Sequence, residues 1–179
     1  MLAAASIDHQ VRAPEIDDGC LRAGSVAARD WVRVLAVMKA RSVTGVSRGT
    51  LLGADTVCTM DGVLIGQPAD ADDAAAMIHS MCGRAHEVLT GWCLRTADGR
   101  AIRSGCEVAT VRVGDIDDEE IDAYLAGGDW RGKAGGYNLE DRLEAGWPLA
   151  CEGDPTSVMG LPMERLAREL ATAPLEVRA

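Results

Sequence analysis

No Cys-x-x-Cys pair occurs in this chain, and none of its six cysteines (Cys20, Cys58, Cys82, Cys93, Cys106, Cys151) has a histidine at zinc-site spacing. That argues against a structural zinc and favours reduced, mostly buried thiols. Histidine is scarce as well. His9, His79 and His86 stand apart from any nucleophile motif, which argues against a histidine-based hydrolase, and His86 reads as a structural strand residue. No G-x-G-x-x-G follows the first strand, so a Rossmann dinucleotide site is not expected. No basic leader opens the chain, and Ser6 and Asp8 break its short apolar start, MLAAASIDHQ. The start therefore reads as neither a signal peptide nor a membrane span, and a cytoplasmic protein is expected. Positive charge is short: 18 Lys and Arg against 28 Asp and Glu leave a net charge of −10, a field that repels nucleic-acid polymers and anionic membranes. Phenylalanine is absent. Trp31, Trp92, Trp130 and Trp147 are left to serve a core, an interface or base stacking; Trp130 is the one placed beside a glycine-rich loop, and a homodimer is an open possibility.

What is present suffices for one folded domain spanning residues 1–179: 18.9 kDa with 47% apolar residues can bury a substantial core, divided between two lobes. No internal repeat or low-complexity linker divides it. The stretch TLLGADTV, residues 50–57, reads as a buried strand carrying one acid, Asp55. Such a carboxylate must be solvated in a cleft, paired, or hold a metal, because burying it alone is too costly. Before it, an extended segment at Gln10–Ala13 turns at Pro14 and runs into the acidic pair Asp17 and Asp18. A helix capped by Ser25 then places Trp31, Val34, Leu35 and Met38 on one stripe, with Lys39 near its C-terminus, where the helix dipole favours a cation.

After the strand, Met60-Asp61-Gly62-Val63 predicts a hairpin with a return strand at 63–65, and Asp70 to Met81 predicts a helix stopped by Gly83. Alternation through His86–Thr96 and the segment 106–113 predicts paired strands joined at Asp98-Gly99. Asp117 and Glu120 form a capping-box-like start for a helix carrying Ile121, Tyr124 and Leu125. The acids from Asp115 to Glu120 need no metal, since the dipole accounts for carboxylates in a first turn. WRGKAGGY, residues 130–137, is a glycine-rich loop able to bring amides and cations close to an anion. A last helix begins near Pro162 and faces the core with Met163, Leu166, Ala167 and Leu170.

Five segments in order, L-A-x-x-K-A (35–40), G-A-D-T-V (53–57), G-x-x-H-x-V-x-T-G (83–91), K-A-G-x-Y (133–137) and V-x-G-L-P (158–162), resemble the Maf family of nucleoside triphosphate pyrophosphatases. The resemblance implies an α/β fold: an elongated, mixed, twisted sheet flanked by helices, with two lobes and a nucleotide cleft, similar to inosine triphosphatase. It also implies release of pyrophosphate from a nucleoside triphosphate with a divalent cation, Mg²⁺ or Mn²⁺. In that resemblance Asp55 is the catalytic acid, binding the metal or acting as base; Lys39 and Lys133 face the phosphates; Thr56 and Glu140 sit at base-selecting positions; and Asp18 stands where the family has a metal-binding glutamate. Thr56 resembles the dTTP/UTP branch and Glu140 the 7-methyl-GTP branch.

The chain also departs from that pattern. Met1-Leu2 aligns inside the family's first helix, so the preceding strand and its Ser-x-Ser-Pro-Arg-Arg loop have no counterpart, and Gln67 replaces the lysine of a G-K-P motif. Either the chain is truncated relative to the family or it has lost the loop, in which case it is a divergent nucleotide-binding or interaction protein, with a role in division control as the alternative function. Losing one pre-organised charge contact costs on the order of 2–4 kcal/mol of transition-state stabilisation.

Overall fold

The computed structural model describes residues 1–17, 21–99 and 102–172, with the backbone alone at Ile102. Asp18 and Cys20 fall outside the described residues. Five strands form one sheet in the order β2-β1-β3-β4-β5: β1 (Thr50–Met60), β2 (Val63–Ile65), β3 (Ala85–Thr96), β4 (Ile102–Val113) and β5 (Leu149–Glu152). Every pairing among the described strands is antiparallel, where the resemblance implied a mixed sheet. The β1–β2 and β3–β4 connections are hairpins, which impose that direction.

Helix α1 (Ala28–Ser42) lies across one face of the sheet. It begins two residues later than a Ser25 cap would allow: the chain before it is held in a turn by the Val26 amide bonding the Ala23 carbonyl at 3.0 Å, and the N-cap residue is Ala27, without a side-chain cap bond. Its buried stripe is also rotated from the expected one. Val32, Leu35, Ala36 and Ala40 are buried, Trp31 and Met38 are half-buried, and Val34 is exposed. Two glycines in the strands beneath explain the rotation. A Cβ on Gly53 would lie 2.4 Å from the Ala36 carbonyl oxygen, and one on Gly91 would lie 2.3 Å from that of Val32. The helix backbone rests on bare strand, a separation that small residues permit and Trp31 or Met38 would prop open.

Alternation along β1 divides its side chains. Leu51, Gly53, Asp55 and Val57 share the α1 face; Leu52, Ala54, Thr56 and Cys58 share the opposite face, which meets α5 (Pro155–Val158) and α6 (Met163–Thr172). Leu166 is the residue of α6 that is fully buried, against Trp92 and Leu94, while Ala167 is exposed. Residues 88–94 of β3 are buried without interruption, because helices cover both faces there.

At the far end of the long strands, α2 (Ala71–Met81) and α3 (Asp118–Gly127) build the second lobe around Ile78, Met81, Ile121, Tyr124, Trp130 and Trp147. Asp70 caps α2 through the Asp73 amide at 2.9 Å. Asp117 occupies the N-cap of α3 as expected, but its side chain makes no cap bond. Trp130 is a core residue rather than a candidate base platform: it is buried, and its indole donates to the Leu125 carbonyl at 3.2 Å.

Among the described residues, the side of β1 that faces away from β3 carries a strand partner only at 58–60. Beside the start of β1 lies a cavity of about 640 Å³, lined by Leu2, Ile7, Leu51, Leu52, Ala54 and Leu161 among others. The segment expected to be extended at Gln10–Ala13 forms no strand; Gln10, Val11 and Arg12 line this cavity instead. No helix of the described residues is long and apolar enough to cross a membrane. The cysteines Cys58, Cys82, Cys93, Cys106 and Cys151 are all free thiols.

Candidate active site

Lys39 and Asp55 come together. The lysine is one turn from the end of α1, on the side that lies over the sheet, and its Nζ donates to Asp55 Oδ1. Both are largely withdrawn from solvent, the lysine side chain 24% and the aspartate 11% exposed. A strand-borne acid that composition left unexplained thus has a partner supplied by the previous element. The glycine contacts at 53 and 91 set the distance from helix to strand, and Asp55 pairs in register with Gly91. The pair therefore stands where α1 rests directly on strand backbone.

Thr56 points the other way. Its hydroxyl lies 2.8 Å from that of Thr90, and Thr90 donates to the Ser157 carbonyl at 2.6 Å. Thr90 and Ser157 are both completely buried. Gly160, with φ of +97°, packs beside Thr56: a Cβ there would stand 3.6 Å from the Thr56 Oγ1. The V-x-G-L-P segment (158–162) thus runs beside Thr56.

The glycine-rich loop joins this second face. Ala134–Gly136 form a single 3₁₀ turn in which Gly135 and Gly136 have φ of +75° and +81°, a backbone that favours glycine. The Gly135 amide donates to the Gly66 carbonyl at 3.0 Å, and the Tyr124 hydroxyl to that of Gly136 at 2.9 Å. Lys133, at the turn's start, meets Asp141 Oδ2 at 3.3 Å rather than Asp55. Glu140 lies exposed in the first turn of α4 (Leu139–Glu144), next to Leu139, which packs against Cys58. The sequence-predicted residues thus fall into two groups, Lys39 with Asp55 on one face of β1 and Thr56, Lys133 and Glu140 associated with the other. The open edge of β1 lies between them.

Two neighbouring groups carry no chemistry. Burial pushes the Cys58 thiol up to about 12, so it is no nucleophile at neutral pH. His86 is buried, its affinity for a proton lowered by desolvation to a pKa of about 4, and it meets the Tyr137 hydroxyl at 3.1 Å. It ties β3 to the glycine-rich loop as a neutral ring, in line with the structural role expected of it. Three residues stood in the sequence motifs without an assigned role: Thr90, which reads as one more strand threonine, and Gly53 and Gly91, which set the height of α1.

Among the described residues no group of three or more His, Cys, Asp or Glu side chains could hold a metal ion. Asp55 offers a single carboxylate. That donor set does not fit a dedicated protein cage, but it fits Mg²⁺ or Mn²⁺ arriving with a polyphosphate, because Mg²⁺ is commonly held by one or two carboxylates, substrate phosphates and water.

Fold and site define an α/β protein with a lysine–carboxylate pair held between its first helix and the strand that follows it. The chain belongs to the Maf-like protein family, whose model matches residues 1–173. It is similar to proteins named dTTP/UTP pyrophosphatase. That of Pelotomaculum thermopropionicum is 37% identical over 145 residues, covering 80% of this chain and 75% of the relative. That of Anaeromyxobacter sp. is 36% identical over 176 residues, covering 97% and 83%. That of Aromatoleum aromaticum is 42% identical over 120 residues, covering 67% and 57%.

Proposed function

We propose that this chain is a nucleoside triphosphate pyrophosphatase that cleaves its substrate to a nucleoside monophosphate and pyrophosphate, with dTTP and UTP as its preferred substrates. The observation that carries the reading is the Lys39–Asp55 contact, which brings together motif residues from two separate segments. The names of the relatives, all dTTP/UTP pyrophosphatases, supply the substrate class. They favour an enzyme over an interaction module and, with Thr56, outweigh the 7-methyl-GTP character of Glu140.

A triphosphate carries about four negative charges, so this chemistry consists chiefly of positioning and charge neutralisation. Water attacks the α-phosphorus, the bond to the bridging oxygen breaks, and pyrophosphate departs with that oxygen. Lys39 neutralises phosphate charge, which requires it to turn from Asp55 toward the ligand. Asp55, so released, would hold the divalent cation, or takes the proton of the attacking water. When bound, the cation adds charge neutralisation at the phosphates. Lys133 swings from Asp141 to add a second positive charge, its loop glycines letting backbone approach the ligand. Asp18 would supplement Asp55 at the metal. The reduced state of the free thiols matches a cytoplasmic location.

The test is pyrophosphate release from dTTP, UTP, CTP and 7-methyl-GTP with Mg²⁺ or Mn²⁺, wild type against Asp55→Asn. Turnover of dTTP and UTP by wild type and its loss in the variant are expected; a wild-type protein that turns over none of the four sinks the reading.

A further inference from the structure

A hydroxyl group has one proton to give, and the chain Thr56–Thr90–Ser157 accounts for each one. A carbonyl can only accept, so the 2.6 Å contact commits the Thr90 proton to Ser157 O. Thr90 then has only lone pairs left for Thr56, and the 2.8 Å contact between the two hydroxyls must take its proton from Thr56. The Thr56 oxygen is left as an acceptor alone. Because Thr90 and Ser157 are completely buried, water cannot take over either link, and reversing the chain would press the lone pairs of Thr90 Oγ1 and of the Ser157 carbonyl, which also accepts from the Gly160 amide at 3.0 Å, against each other at 2.6 Å.

We propose that Thr90 is a specificity-determining positioning residue: it fixes the Thr56 hydroxyl as an acceptor, so that the site takes a nucleobase presenting a ring N–H and rejects one presenting a ring-nitrogen lone pair. The inference rests on the reading above that Thr56 meets the base. Uracil and thymine carry a proton on N3 and satisfy Thr56. Cytosine carries a lone pair there, and two acceptors face each other. A hydroxyl free to rotate would serve both bases equally, so the discrimination resides in the buried partner and not in Thr56 itself.

The experiment measures calorimetric binding of the α,β-methylene analogues of UTP, CTP and 3-methyl-UTP, which keep the triphosphate charge and resist cleavage. Wild type is expected to bind the UTP analogue at least about tenfold more tightly than the other two. Thr90→Ser, which keeps the hydroxyl, retains that ratio. Thr90→Val and Thr90→Ala free the Thr56 proton and bring the UTP-to-CTP ratio toward one, with CTP binding maintained or improved. A variant that weakens both analogues in equal proportion overturns the proposal, because that is what a merely structural threonine would do. So does a wild type that binds the 3-methyl-UTP analogue as well as that of UTP, a comparison that needs no variant to fold. A wild type that binds none of the three overturns it as well. Failure of the activity reading shows separately, as absence of pyrophosphate release from UTP by a protein that still discriminates between the uncleavable analogues.

Discussion

The contact between Lys39 and Asp55 is a resting arrangement in which each group neutralises the other. Asp55→Asn keeps the shape and removes the charge, and is expected to lower kcat by about 10²–10⁴-fold, the range for losing one positioned proton acceptor or comparable charge contact. Lys39→Met keeps much of the side-chain packing and is expected to cost about 10²–10³-fold in kcat/KM; steady-state pyrophosphate release checks both. The two residues were legible in the sequence as motif positions sharing one site, but not as the one direct contact within it, since nothing in a one-dimensional pattern says that a lysine near a helix end lies over a particular strand residue. Neighbours in sequence misled in the other direction. Asp55 and Thr56 read as one site, yet a strand sends adjacent side chains to opposite faces. Thr90 was the least visible, because its role lies in the direction of one proton and the sequence shows only another strand threonine.

Elements were more legible than contacts. The hairpin at Asp61-Gly62, the return strand at 63–65 and the helix ended by Gly83 all follow from local turn and capping chemistry, and stand where that chemistry puts them. Helix α1 was legible in extent but not in orientation. Its amphipathic pattern pointed to Trp31, Val34, Leu35 and Met38; Leu35 is buried as expected, but the sheet beneath, by offering glycines, draws Val32, Ala36 and Ala40 inward in place of the other three. Gly53→Ala and Gly91→Ala therefore drive a methyl group into helix backbone. Each is expected to destabilise by about 2–4 kcal/mol, as over-packing at a site that cannot yield, measured as a shift in denaturation midpoint. Because α1 must retreat, both variants also separate Lys39 from Asp55, and loss of activity is expected at temperatures where the protein is still folded.

For the molecule as a whole, acid is the condition that finds a weak point. His86 titrates near 4 in the fold and near 6.5 when unfolded. The unfolded chain thus binds more protons between those values, and stability falls as pH drops from about 6.5 toward 4. Two to three pK units correspond to roughly 3 kcal/mol. Thermal melts across that range are expected to show the decline, and His86→Gln, which has no charge to gain, to flatten it. The open side of β1 has a consequence of its own. In an antiparallel ladder only every second amide of an edge strand is bonded to its neighbour, and among the described residues the only strand paired with 50–57 is β3, on one side. Hydrogen exchange along the strand that carries Asp55 should therefore alternate, slow and fast, with a two-residue beat. Anything that seats itself against the strand's free side would silence the fast half of that rhythm while leaving the slow half unchanged.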